Sequence, residues 1–148
     1  MASEKRRSMA AIETIDFEDE ELDQFGVAQI QHLPQTQLLD GYACIQCSRC
    51  QDACPAYETG KELSPSAIEI NKRYFINDNI STIANGESID KALTDWMLTE
   101  EAAWSCTTCG YCVEVCPVGN EPMIDILRAR QNLVMMESNF PQDAMETF

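Results

Sequence analysis

Residues 44–55 read CIQCSRCQDACP, and residues 106–117 read CTTCGYCVEVCP. Both stretches follow the pattern C-x2-C-x2-C-x3-C-P, and the second begins 62 positions after the first. Together they contain all eight cysteines of the 148-residue chain. Cysteines repeated at one regular spacing indicate a site that binds metal or carries out redox chemistry.

Three other uses of these cysteines fit the pattern less well. A structural zinc site pairs two C-x2-C units, which would leave the third and fourth cysteines of each run without a role. Disulfides are disfavoured because four cysteines within eleven residues pair awkwardly and no signal peptide precedes them. A thioredoxin-type dithiol needs a C-x-x-C beside a βαβ pattern, which the sequence does not show.

Each run resembles the cluster-binding motif of bacterial ferredoxins. In that motif three thiolates curl around one [4Fe–4S] cluster, and the fourth, which precedes a proline, binds the neighbouring cluster. The resemblance therefore implies two [4Fe–4S] clusters with crossed ligands. One cluster would take Cys44, Cys47, Cys50 and Cys116, and the other would take Cys106, Cys109, Cys112 and Cys54.

The 51 residues between the runs read as helical. Ser64 and Pro65 are a typical helix start, which predicts a helix through about residue 77. Apolar spacing predicts another helix over residues 88–104. Pro122 is expected to open a last helix, and Pro141 to end it. No alternating pattern is long enough for a sheet, so the predicted fold class is mainly α.

The chain divides into three regions by composition. Residues 1–37 are predicted to be an acidic, weakly structured lead-in, residues 38–140 a dicluster domain, and residues 141–148 a tail. Residues 16–23 hold six acids in eight positions. This stretch is interpreted as a solvated tail, with a docking surface for a basic partner as the alternative.

The chain has 10 basic and 25 acidic residues, which give it a net charge of −15. This charge limits the kinds of molecule that it can bind. Such a chain is not expected to bind nucleic acid through its phosphates. An acidic surface instead attracts basic proteins. The apolar runs are too short for a membrane span, so no direct span is expected.

The long helical insert distinguishes the chain from small bacterial ferredoxins, whose motifs are joined by a βαββαβ segment. It resembles instead the α-helical ferredoxin domain of succinate dehydrogenase, fumarate reductase, anaerobic glycerol-3-phosphate dehydrogenase and heterodisulfide reductase. The likeness is strongest to the heterodisulfide reductase type. It is carried by CIQCSRCQDACPAYETGKE at 44–62, AWSCTTCGYCVEVCPV at 103–118 and RARQNLVMMESNFPQDA at 128–144. Succinate dehydrogenase-like proteins replace one ligand, whereas this chain keeps all eight cysteines.

The resemblance implies a subunit or domain that relays electrons through two clusters inside a larger, heterodisulfide reductase-like and quinone-linked oxidoreductase. Its expected partners are a cysteine-rich subunit of the Cys-Cys-Gly type, a flavoprotein, or a membrane subunit that binds quinone or haem. No substrate site of its own is visible in the sequence. The expected location is the cytoplasm, or the cytoplasmic face of the membrane through these partners.

Two other functions stay open at this point. The chain could be a free, diffusible dicluster ferredoxin, or its clusters could serve as a sensor or a purely structural element. It could also be a separate subunit or a piece of a longer membrane-associated protein, and a unit that works only within a complex is favoured.

Overall fold

The computed structural model describes residues 14–18, 23–141, 144 and 146 of the chain. These residues form eight α-helices and two short 3-10 helices at Ile30–His32 and Leu93–Asp95. The α-helices are α1 (Gln35–Ala43), α2 (Arg49–Asp52), α3 (Pro55–Glu58), α4 (Pro65–Asp78), α5 (Ile80–Ala84), α6 (Glu100–Ser105), α7 (Tyr111–Glu114) and α8 (Pro122–Met135). The β-structure in the described ranges is one isolated bridge between Gln29 and Ala92, which confirms the mainly α class.

The two longest helices, α4 and α8, pack against each other at the centre of the molecule. Both begin with a proline, whose missing N–H costs nothing at the first helical position. Ser64 caps α4 by accepting a hydrogen bond from the Ala67 amide at 3.2 Å. The shorter α1 packs on α4 and α6 packs on α8. Each short helix leads directly into one cysteine run.

The hydrophobic core extends into the region that the sequence assigns to the lead-in. Val27, Ile30 and Leu33 are at most 5% exposed and belong to the main core cluster. The Val27 amide also donates a hydrogen bond to the Arg128 carbonyl of α8 at 3.0 Å. Packed residues therefore occur N-terminal of residue 38. Residues 1–13 and 19–22, including part of the acidic stretch, and most of the tail at 141–148 lie outside the described residues.

The predicted helix over residues 88–104 is wrong. Only α6 and the short 3-10 helix at Leu93–Asp95 are helical in this stretch. The Leu93 amide bonds to the Ala28 carbonyl at 2.8 Å, and the Trp96 ring stacks on Phe75 of α4 with centroids 3.9 Å apart. The apolar side chains of this stretch are buried because the stretch packs across other parts of the molecule. Their helical spacing therefore does not require that the stretch itself be a helix.

The last helix, α8, begins at Pro122 as predicted but ends at Met135, six residues before Pro141. The amides of Met136 and Glu137 both bond to the Asn132 carbonyl, and the Asn132 side-chain amide donates to Glu137 Oε1 at 2.6 Å. Asn132 therefore ends the helix by holding a turn, and Pro141 is not needed as a terminator.

A buried ion cluster joins the two central helices. Lys72 of α4 donates to Asp125 Oδ2 of α8 at 2.7 Å and lies 2.9 Å from Glu69 Oε2. Its ammonium also donates to the Gln37 carbonyl of α1 at 3.0 Å. Burial opposes the charge of Lys72, but the Asp125 and Glu69 carboxylates outweigh that effect and raise its pKa. Burial also raises the pKa of Glu69 to about 8. The charge of each of the three side chains therefore depends on the charges of the other two.

Candidate metal centre

The two cysteine runs have the same local structure. Cys44 caps the C-terminus of α1, and Cys106 caps the C-terminus of α6. A loop follows in each case and leads into a single helical turn, α2 or α7. Cys54 then precedes Pro55 and Cys116 precedes Pro117. Each run is therefore a loop held between a preceding helix and a short turn.

Left-handed backbone conformations occur at matching positions of the two loops. Gln46 and Ser48 have φ of 56° and 61°, and Thr108 and Gly110, each 62 residues later, have φ of 54° and 73°. Backbone that alternates in this way turns successive N–H groups toward one side and forms an anion-binding concavity. The Thr108 amide lies 3.4 Å from Cys106 Sγ. Such N–H donors stabilise the negative charge of cysteine sulfur.

One group of cysteines from both runs lines a single cavity. The cavity wall contains Cys44, Cys47 and Cys50 from the first run together with Cys112 and Cys116 from the second, with Ser66, Glu69 and Asn120 beside them. Burial, followed by the charges of Cys116 and Cys44, raises the pKa of the Cys50 thiol to about 12. Cys116 therefore lies close to the first three cysteines of the other run.

The remaining cysteines also lie near Cys112. Burial first, and then the charges of Cys106, Cys109, Cys50 and Cys54, raises the pKa of the Cys112 thiol to about 12. Burial also raises the pKa of Cys106, and the charges of Cys54 and Cys109 raise it further. Cys54 is thus near the first three cysteines of the second run. The cavity and these charge interactions together involve all eight predicted residues, and the two runs meet where α2 contacts α7.

The donor set fits a cationic inorganic group. Several thiols that repel one another as thiolates, and that burial keeps protonated, need a positive centre before they can all ionise. A four-iron core supplies such a charge and is held by four thiolates. In the described part of the chain, no three His, Cys, Asp or Glu side chains are grouped to hold a single metal ion.

The cysteines differ in their exposure to solvent. Cys47 and Cys109, the second cysteine of each run, are exposed, whereas Cys54 and Cys112 are buried. Each run therefore has one thiol at the surface and another in the interior.

Two arginines that the sequence did not single out hold the loops. Arg73 of α4 donates hydrogen bonds to the carbonyls of Gly41 and Cys44, and Arg130 of α8 donates to those of Ala103 and Cys106. The sequence could have indicated them by their matching positions, since each arginine lies eight residues after the proline that begins its helix.

The chain matches the 4Fe-4S dicluster domain over residues 40–120. This match contains both cysteine runs and the central helix α4. It overturns the zinc and disulfide alternatives, because that domain holds its cysteines on iron–sulfur clusters. No solved structure matches the chain.

Several longer proteins are similar to most of the chain. It is 31% identical to the "Probable iron-sulfur-binding oxidoreductase FadF" of Bacillus subtilis, over 95% of this chain and 24% of that protein. It is 32% identical to the "EtfAB:quinone oxidoreductase" of Syntrophomonas wolfei, over 87% of this chain and 21% of that protein. A "Probable membrane-anchored ferredoxin" of Chromohalobacter salexigens is 26% identical, over 91% of this chain and 22% of that protein.

The chain thus spans about a quarter of the length of the relatives it matches. Within the residues described here, every helix is too short or too polar to cross a membrane. The relatives are oxidoreductases or ferredoxins by name, which agrees with the redox role that the resemblance implied. The eight cysteines provide ligands for two four-iron groups. This chain belongs to the 4Fe-4S dicluster domain family and is an iron–sulfur electron-transfer domain with two [4Fe–4S] clusters.

Proposed function

We propose that the chain relays single electrons between two partner sites of a larger oxidoreductase, through two clusters placed side by side at the α2–α7 contact. When bound, each cluster can gain and lose one electron. The residues of the chain bring the two sites together and leave one cysteine of each run exposed. The contact between the two cysteine runs is the observation that carries this proposal.

The ligands in this proposal are crossed between the runs. One cluster is bound by Cys44, Cys47, Cys50 and Cys116, and the other by Cys106, Cys109, Cys112 and Cys54. The charge of Cys116 acts on Cys50, and the charge of Cys54 acts on Cys106 and Cys112, which supports this assignment. The buried Cys112 also lines the cavity of the first group, which supports two adjacent sites.

The partners are proposed to be a flavoprotein or a Cys-Cys-Gly-type reductase subunit on one side and a quinone-linked or haem-bearing membrane subunit on the other. The name of the Syntrophomonas relative supports a quinone as the acceptor. The name of the Chromohalobacter relative supports a site at the membrane. We place the chain on the cytoplasmic side, attached through these partners.

Metal analysis and redox cycling test the relay. Chain purified without oxygen is expected to hold about eight irons and about eight acid-labile sulfides, four of each per cluster. Both clusters should survive repeated reduction by dithionite and oxidation by a soluble quinone. Reduced protein should give EPR signals from two S = 1/2 centres that interact, because the sites are adjacent.

Three results would contradict this function. A cluster that converts or is lost in the first redox cycle would indicate a sensor. Two signals without magnetic interaction would contradict adjacent sites. Elution of the chain from a gently lysed cell extract at its own mass of 16.6 kDa, with none in a larger complex, would indicate a free ferredoxin.

Replacing Cys54 by serine tests the crossing. We expect the iron content to fall from about eight to about four per chain, because the cluster bound by the second run loses a thiolate. Cys106, Cys109 and Cys112 should then react with iodoacetamide, while Cys44, Cys47 and Cys50 stay protected. Mass spectrometry of the alkylated peptides measures both groups.

The matched variant is Cys116→Ser, for which the opposite labelling is expected. Cys44, Cys47 and Cys50 should react, and the second run should stay protected. If Cys54→Ser instead exposes the other cysteines of its own run, the ligands are not crossed.

A further inference from the structure

The two arginines that hold the cysteine loops make the same bonds in both halves of the molecule. Arg73 Nε donates to the Gly41 carbonyl at 2.9 Å, and its Nη2 donates to the Cys44 carbonyl. Arg130 Nε donates to the Ala103 carbonyl at 2.8 Å, and its Nη2 donates to the Cys106 carbonyl. Each guanidinium thus binds the carbonyl of the first cysteine of a run and the carbonyl three residues before it.

These carbonyls lie at the C-terminal ends of α1 and α6. The last carbonyls of a helix carry partial negative charge, here directed at the start of each cysteine loop. A guanidinium is always charged, and its planar fork suits two neighbouring oxygens. Each arginine therefore offsets the negative helix end and fixes the loop at the same time.

Each guanidinium lies beside the first cysteine of its run, because it is hydrogen-bonded to the backbone carbonyl of that cysteine. Arg130 is held in place by the Trp104 ring, 5.2 Å from its guanidinium carbon. Arg73 is likewise partly covered by protein. Salt screens such charges less than it screens those on an open surface.

We propose that Arg73 and Arg130 are positioning residues that set the reduction potentials of the two clusters separately. Each acts on the cluster bound by the run whose first cysteine it holds, so the inference rests on the proposed function. Reduction adds one electron to the site and makes it more negative. A fixed cation stabilises that state and raises the potential.

Glutamine variants of each arginine test the proposal by potentiometric titration followed by EPR. Arg130→Gln should favour the oxidised state of the Cys106 cluster by about tenfold, which is about 59 mV for one electron. The Cys44 cluster should move much less. Arg73→Gln should produce the reverse pattern. Cys50→Ser and Cys112→Ser, each of which removes one cluster, assign the two signals to the two runs.

Lysine variants separate charge from loop geometry. Arg130→Lys and Arg73→Lys keep the cation but lose the two-pronged bond, so the potential should fall less than in the glutamine variants. These variants also serve where a glutamine variant loses its cluster. Lys91→Gln is the matched control. It also removes one positive charge, but from a side chain that lies over the Phe75 ring. It should shift both potentials slightly and equally.

The titrations distinguish this inference from the proposed function. If each glutamine variant shifts both clusters equally, or if neither cluster shifts in any arginine variant with full iron content, the arginines do not set the potentials separately. Equal shifts in the lysine and glutamine variants would assign the effect to loop geometry and would overturn the role of the charge. Failure of the proposed function would be visible already in the unmodified protein, as absent or uncoupled clusters.

Discussion

Replacing Lys72 by methionine is expected to lower the free energy of unfolding by about 3 to 5 kcal/mol. The substitution keeps the volume of the side chain but leaves Glu69 and Asp125 buried without their cation. Lys72, Glu69 and Asp125 are all at most 1% exposed, so water cannot replace the lost partner. Anaerobic denaturation followed by circular dichroism measures the change.

The loss in this variant should depend on pH. Burial raises the pKa of Glu69 from 4.5 to about 8, and burial also raises that of Asp125. The folded state therefore keeps protons that the unfolded state has lost, so these groups make stability fall as the pH rises from about 4.5 toward 8. Without Lys72 the carboxyl pKa values rise further, and the deficit should be larger at pH 8 than at pH 5.

Two variants serve as controls. Lys61→Met changes an exposed lysine and should stay within about 0.5 kcal/mol of the unmodified protein. Adding Asp125→Asn to Lys72→Met should restore part of the stability at pH 8. If the double variant is as unstable as Lys72→Met, the loss does not come from an uncompensated charge.

Replacing Gly26 by alanine is expected to cost about 3 kcal/mol of stability. Gly26 has φ of +72°, and an added Cβ would overlap the Arg128 carbonyl oxygen and the Asn132 amide nitrogen. Both atoms belong to the backbone of α8 and cannot move without distorting that helix. Val27, which bonds to the same Arg128 carbonyl, would be displaced as well. Thermal unfolding without oxygen measures the effect.

The matched control for this second substitution is Gly60→Ala. Gly60 has φ of +77°, and no atom lies within 4 Å of the Cβ position. The variant should therefore lose only the conformational contribution, about 1 kcal/mol. Equal losses in the two variants would show that residues 26 and 27 do not pack tightly on α8.

Local features of the sequence were the ones that predicted structure correctly. The start of α4 at Pro65 follows from Ser64 and the proline itself, because a cap depends only on nearby residues. The two clusters follow from cysteine spacing for the same reason, since each C-x2-C-x2-C-x3-C-P run lies within one short stretch of the chain. Prediction failed for residues 88–104. Their apolar spacing indicates which side chains are buried, but not whether the backbone is helical. The residues that bury them, Phe75 and Ala28, are distant in the sequence, so a local pattern cannot reveal the contact.

The arginines and the ion cluster could not be predicted for a related reason. Arg73 and Arg130 bind backbone carbonyls, which every residue possesses and which leave no mark in the sequence. Lys72 finds its carboxylate in Asp125, 53 residues away. A lysine within a polar helix predicts an exposed side chain, and only the packing of α4 on α8 makes it buried.

Each of the two arginines lies well downstream of the cysteine loop that it holds. Arg73 follows Cys44 by 29 residues, and Arg130 follows Cys106 by 24. Each loop is therefore fastened only when the helix after it, α4 or α8, has formed and packed. A substitution that unfolds either helix should also release the cysteine run before it.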